Sequence, residues 1–246
     1  GALQHAVELL RRGVEIALTP PGARWRGSAT ARPKPGRPLE RDYEGAAASV
    51  EATCYDFRVN QAAVAPPVRF EDYFEAEVAC AEDAPKHEWV DGVVYAMSRG
   101  TPEHGRLTAS VTIALGALPG DCRVYSSDTM LYVASVELAT YADVSVVCGP
   151  LESITVRKNG RSLGQAVTNP TVVVEVLSEA TERYDRDGKF NAYKALPSLR
   201  EYILISQDER RIEVFRRADN WAGEAKGAGE TITVHGTPLA VDSVYR

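Results

Sequence analysis

The stretch TVVVEVLS, Thr171 to Ser178, constrains this chain more than any other. Its valines and leucine suit a central strand covered on both faces, where β-branched side chains pack well. Glu175 interrupts the run. A carboxylate in such a place is costly unless it is paired, protonated or bound to a metal. The rest of the sequence should therefore contain its partner.

A second acid sits in a similar setting. In YADVSVVC, Asp143 shares a face with Ser145 and Val147, because side chains alternate along a strand. Glu175 shares a face with Val173 and Leu177 by the same rule. If the two strands are neighbours, both carboxylates converge on one point, and Asp128 in SSDTMLYV is a candidate to join them. Convergent carboxylates with water suit Mg²⁺ or Mn²⁺, hard cations that prefer oxygen ligands. A buried acid in a structural ion pair is the plainer alternative.

Beyond Glu175, the segment DGKFNAYKAL reads as a helix ending before Pro197. Lys189 and Tyr193 lie four apart on one face of it, and Asp185 joins them if the helix begins early enough. A lysine near a metal site can orient water or offset charge on a phosphate; a solvated helix lysine is the commoner case. DRDG hints at a calcium loop, but Phe190 stands where such a loop requires glycine, and no closing glutamate follows. His104 and Glu88 are further candidates. His104 lies in the first turn of the helix that precedes the strands, and Glu88 lies just before the Asp91-Gly92 turn. Helix capping and a strand-edge surface acid are their respective plain readings.

The element pattern from Arg69 onward is helix (RFEDYFEAEVAC), hairpin (HEWVDGVVYAM) and helix (TPEHGRLTASVTIALGAL), followed by strands. The strands are CRVYSSDTMLYV, YADVSVVC and TVVVEVLS, then REYILIS after the lysine helix, with RRIEVFRR and TITVHG closing the chain. RKNGRS adds an Asn159-Gly160 turn. Such an order indicates an α/β fold, a mixed sheet with helices on both faces.

Residues 1–68 differ. ALQHAVELLRRGVEIAL places Leu3, Val7, Leu10 and Val14 at helical spacing, and the Pro-, Gly- and Arg-rich stretch after it reads as a linker or poorly ordered extension. Residues 1–69 carry 10 Lys and Arg against 7 Asp and Glu, a balance of +3. The remainder carries 18 against 27, a balance of −9. A basic nucleic-acid-binding arm is the sharper reading of the extension. An acidic domain can still handle nucleic acid if its carboxylates hold metal ions. Four separated cysteines, Cys54, Cys80, Cys122 and Cys148, with no CxxC pair, are expected as reduced thiols of a cytoplasmic protein. No apolar run is long enough to span a bilayer, and no signal-peptide layout is visible. GxSxG, Walker and HExxH motifs are missing, which argues against serine-nucleophile, nucleotide-binding and zinc-hydrolase chemistry.

From about Arg69 to Tyr245 the chain resembles the Uma-two family of restriction-endonuclease-like proteins, a branch of the PD-(D/E)XK nuclease superfamily. KHEWVDGVVYAM, TPEHGRLTASV, YADVSVVCGP and TNPTVVVEVLSEATERYDRDGKFNAYKALPSLREYILISQ carry the resemblance. It implies a restriction-endonuclease-like core of helix, three strands, helix and strand over residues 69–246, with extra N- and C-terminal strands. It also implies Mg²⁺- or Mn²⁺-dependent phosphodiester hydrolysis of nucleic acid, DNA in the first instance. By the family pattern Asp143 and Glu175 bind the metal, and Lys189 stands in for a lysine normally two residues after the glutamate, where this chain has Leu177. His104 and Glu88 match recurrent family positions. The usual Pro-Asp reads Ala142-Asp143, a change that removes no ligand. Lys158, Arg161, Arg210 and Arg216 are candidate backbone-phosphate contacts, and a homodimer would suit cleavage of both strands. The alternatives are a catalytically idle module that binds DNA or a protein, and hydrolysis of a small phosphoester.

Overall fold

The structure, a computed structural model, describes residues 66–81 and 84–246. The expected N-terminal helix, the linker and Cys54 lie outside the described residues. Helix α1 (Phe70–Ala79) leads into the hairpin β1 (His87–Val90) and β2 (Val93–Ala96), whose turn holds Asp91 and Gly92 at positive φ as the Asp-Gly pair demands. Helix α2 (Pro102–Leu115) follows, capped by Thr101, whose Oγ1 accepts from the His104 N–H at 3.1 Å.

The chain then alternates between two six-stranded sheets. Strands β3 (Cys122–Ser126), β4 (Met130–Val133), β5 (Leu138–Tyr141), β6 (Val144–Cys148), β7 (Ser153–Lys158), β8 (Arg161–Val167) and β9 (Val172–Val176) lead to a helical segment, α3, over 182–193. After it come β10 (Glu201–Ile205), β11 (Arg211–Arg216), β12 (Gly223–Gly227), the hairpin β13 (Thr231–Val234) and β14 (Thr237–Ala240), and α4 (Val241–Val244). One sheet has the order β2-β1-β5-β4-β8-β7 and the other β12-β11-β10-β9-β6-β3. Within the second, β3–β6 and β6–β9 are antiparallel and β9–β10 parallel. The succession α2, β3, β6, β9, α3 and β10 is the expected helix, three strands, helix and strand.

Burial explains the layering. Val172, Val174 and Val176 pack toward α2 residues Leu107, Val111 and Leu115. Val173 and Leu177 point the other way, into a core shared with Phe190 and Tyr193 of α3 and with Leu131, Val133 and Leu138 of the first sheet. Every residue of β9 is buried, Glu175 included. On its far side, the first sheet is covered by Tyr73 and Phe74 of α1.

Three expectations need correction. CRVYSSDTMLYV is two strands in different sheets, divided by a turn in which the Thr129 N–H donates to the Ser126 carbonyl at 3.0 Å. The lysine helix begins earlier than Asp187: the Ser178 carbonyl accepts from the Glu182 N–H at 2.8 Å and starts the helical ladder. That helix runs as α over Glu182–Tyr184, π over Asp185–Lys189 and α again over Phe190–Tyr193. Finally, the described cysteines are not reduced thiols: Cys80 is in a disulfide, and so are Cys122 and Cys148. The latter two face each other across β3 and β6 and are bonded to one another.

Candidate active site

Sheet register brings the two acids together. Val144 pairs with Val174 in the antiparallel β6–β9 ladder, so one step further Asp143 comes opposite Glu175. Asp143 occupies the passage between β5 and β6, where the chain leaves one sheet for the other. The Val176 N–H donates to Asp143 Oδ2 at 2.7 Å, and the Asp143 N–H approaches Glu175 Oε2 at 3.4 Å. The carboxylates thus stand side by side, Glu175 2% exposed and the Asp143 side chain 20% exposed.

Helix α3 supplies the cation. Lys189 Nζ donates to Glu175 Oε1 at 3.2 Å, and the Tyr193 hydroxyl donates to the same oxygen at 3.2 Å. Lys189 also lies 3.5 Å from Asp185 Oδ1, one turn earlier on α3. Burial alone would lower the Lys189 pKa, but the Glu175 and Asp185 carboxylates outweigh it and hold the ammonium well above its ordinary value. Burial pushes Glu175 upward, against the pull of Lys189. Glu88 is buried as well and accepts from Thr140 Oγ1 at 2.9 Å. Burial raises its pKa, and Lys189 acts on it electrostatically in the opposite sense.

His104 reaches the same point from the other face of the sheet. Its Nε2 lies 3.0 Å from Asp143 Oδ2, and that hydrogen bond raises the imidazole pKa against the effect of burial. Gln207 steadies the start of α2: it accepts from Thr101 Oγ1 at 2.6 Å and donates through Nε2 to the Leu177 carbonyl at 2.5 Å. This tie between α2 and the end of β9 carries no motif in the sequence. Asp185, by contrast, was within reach of helical spacing once the start of the helix was known.

Other expected members lie elsewhere. Asp128 is exposed and paired with Lys86 at 2.6 Å. Lys158 and Arg161 pair with Glu75, Arg210 with Asp242, and Arg216 with Glu224. Each of these four cations already has an acidic partner, which weakens their case as backbone-phosphate contacts.

Three carboxylates, Glu88, Glu175 and Asp185, therefore bear on one lysine, and Asp143 stands beside Glu175. Asp185 Oδ1 is buried with no hydrogen-bond partner, a state that asks for an explanation. Oxygen-only donors with surplus negative charge fit a hard divalent cation. Glu175 Oε1 is occupied by Lys189 and Tyr193, and Asp143 Oδ2 by His104 and the Val176 amide. That leaves Asp143 Oδ1, together with Glu175 Oε2, which accepts the long 3.4 Å bond from the Asp143 N–H, as the oxygens that could hold one. Among the described residues, triples of His, Cys and acidic side chains within 4.8 Å occur elsewhere, at Glu77, Cys80 and His87 and at Cys122, Cys148 and His235, but their cysteines are in disulfides and offer no thiolate. The acid pair thus offers two protein ligands, and Mg²⁺ usually keeps several waters.

Comparison with known proteins agrees with this architecture. The Uma2 family model, described as "Putative restriction endonuclease", matches residues 70–242. The uncharacterized protein slr1290 of Synechocystis sp. is 34% identical over 187 residues, covering 74% of this chain and 93% of its own length. The uncharacterized protein sll1609 of the same organism is 31% identical over 148 residues, covering 59% and 78%. A crystal structure of "a putative nuclease belonging to DUF820" from Anabaena variabilis aligns with a TM-score of 0.53 and 16% identity, covering 70% of this chain and 96% of that one. At that identity the likeness establishes the fold, which is restriction-endonuclease-like. Among the described residues, no helix is long and apolar enough to cross a membrane.

Proposed function

The chain belongs to the Uma2 family, and on that premise we propose that residues 69–246 form a metal-dependent nuclease hydrolysing phosphodiester bonds in DNA. The observation that carries this reading is the meeting of Asp143, Glu175 and Lys189 at one end of a sheet, although the lysine lies 14 positions after the glutamate.

In this reading Asp143 and Glu175 hold Mg²⁺ or Mn²⁺ through their oxygens. The cation supplies Lewis-acid activation of water and phosphate when bound. Lys189 orients the attacking water and offsets charge developing on the phosphate. His104 fixes the orientation of the Asp143 carboxylate, and both side chains, about a fifth exposed, meet the substrate first. Glu88 and Tyr193 sit behind this front. Tyr193 fixes Glu175 by its hydrogen bond, and Glu88 supports the charge of Lys189.

The test is plasmid cleavage in Mg²⁺ or Mn²⁺ by the wild type, Glu175→Ala and Lys189→Ala. We expect cleavage by the wild type and a loss of roughly 100-fold or more in each variant. Cleavage that persists undiminished in Glu175→Ala overturns the assignment. DNA binding without cleavage by the wild type would favour an idle binding module instead.

A further inference from the structure

Leu177 stands where the superfamily pattern places its lysine, and it is buried in the core shared by both sheets. The strand therefore offers no cation, and the ammonium comes from α3. This route has a cost in definition. A lysine is a flexible stem with a point charge at its end, and nothing in its own geometry fixes where that charge sits. Something must hold it.

Asp185 has the right placement. It opens the π turn Asp185–Lys189, and a π turn inside an α-helix is uncommon and often found at functional sites. Its backbone is anchored on both sides: its N–H donates to the Thr181 carbonyl at 2.9 Å, and its own carbonyl accepts from the Tyr202 hydroxyl of β10 at 2.8 Å. The side chain is 97% buried, and its Oδ1 has no hydrogen-bond donor. What faces that oxygen is the Lys189 ammonium, 3.5 Å away, on the way to Glu175 at 3.2 Å. The ring of Tyr184 flanks the same ammonium at 5.7 Å from its centroid.

We propose that Asp185 is a positioning residue that holds the Lys189 ammonium against Glu175, so that this fold obtains its lysine from a helix through an aspartate at the π turn. The inference rests on the nuclease reading for its kinetic consequence, but the position of the lysine can be observed separately. Asp185 does not touch substrate in this account; it acts through Lys189.

The experiment compares wild type, Asp185→Asn and Asp185→Glu in Mn²⁺-supported cleavage, thermal melting and crystal structures. Asparagine keeps the shape and removes the charge, whereas glutamate keeps the charge. We expect Asp185→Asn to lower kcat by roughly 10- to 100-fold with KM within about twofold of wild type, and Asp185→Glu to recover part of the loss. In the Asp185→Asn crystal, Lys189 Nζ should leave hydrogen-bond distance of Glu175. An unchanged kcat, or a lysine still bonded to Glu175 in that crystal, overturns the inference. So does failure of both variants to fold, which would make Asp185 a structural residue. If the wild type does not cleave, the nuclease reading fails, and the crystal structures alone decide the positioning role.

Discussion

Glu175 reconciles two opposed demands, the dryness of a central strand and the charge of a ligand. Lys189 and Tyr193 share its Oε1, and the second oxygen faces the Asp143 backbone. Removing one partner of a buried pair leaves the other charge uncompensated, which typically costs about 3–5 kcal/mol. Lys189→Met should therefore destabilise the fold by a few kcal/mol in urea unfolding, and adding Glu175→Gln should restore much of the loss. A double variant that shows no coupling would mean the pair contributes nothing to stability. Tyr193→Phe removes one hydrogen bond to a charged group and should cost roughly 1.5–3 kcal/mol. At this scale much was legible. Asp143, Glu175 and Lys189 followed from alternation and helical spacing together with the resemblance. Asp128 did not meet them because its strand ends at Ser126 and Lys86 takes its carboxylate. Gln207 was invisible, since a glutamine that bridges two elements through one amide has no sequence periodicity.

The elements show where local rules were overridden. The β1–β2 turn requires positive φ at Gly92, at +79°, and a Cβ there would meet the Pro67 Cβ at 2.5 Å. Gly92→Ala should lower stability by about 1–3 kcal/mol, measured by chemical denaturation, since both strain and close approach oppose it. Helix α3 is tied to β11 by a two-pronged bridge from Arg186 to Glu213, at 2.8 and 3.1 Å. Burial alone would raise Glu213, but the guanidinium outweighs it and holds the carboxyl below its ordinary value. A folded pKa below the unfolded one contributes stability that is present above the unfolded value of about 4.3 and is lost as pH falls. Arg186→Met should therefore be less stable than wild type by about 1 kcal/mol near pH 7, with the gap closing below about pH 4. A gap that persists unchanged in acid would refute the ionic origin. The π turn that carries Arg186 was not legible, because nothing in DRDGK distinguishes a π turn from the start of an α-helix. Its geometry answers to Tyr202 and to the site.

Across the whole molecule, the core of helix, three strands, helix and strand was readable because β6, β9 and β10 are strongly apolar and the helices are periodic. The first sheet, β2-β1-β5-β4-β8-β7, was less so. Strands β7 and β8 alternate weakly and carry charges, and β5 is a four-residue strand without turn signals around it. The passage of the chain between sheets at Ala142-Asp143 also looks, in sequence, like one continuous strand. It is that passage which frees Asp143 from the middle of a strand and lets it face Glu175. At the opposite end of β6, Cys148 is joined to Cys122. Closing a loop of this length typically stabilises by about 2–4 kcal/mol, so urea titration with and without a dithiol reductant should show a difference of that order.

The central claim is that Asp143 and Glu175 form a divalent-cation centre, and a crystal soaked in Mn²⁺ tests it directly. The expected result is an anomalous peak in bonding contact with one oxygen of each carboxylate that vanishes in Glu175→Ala. A peak confined to other donors, such as Glu77 and His87, or a peak unchanged in that variant, would contradict it.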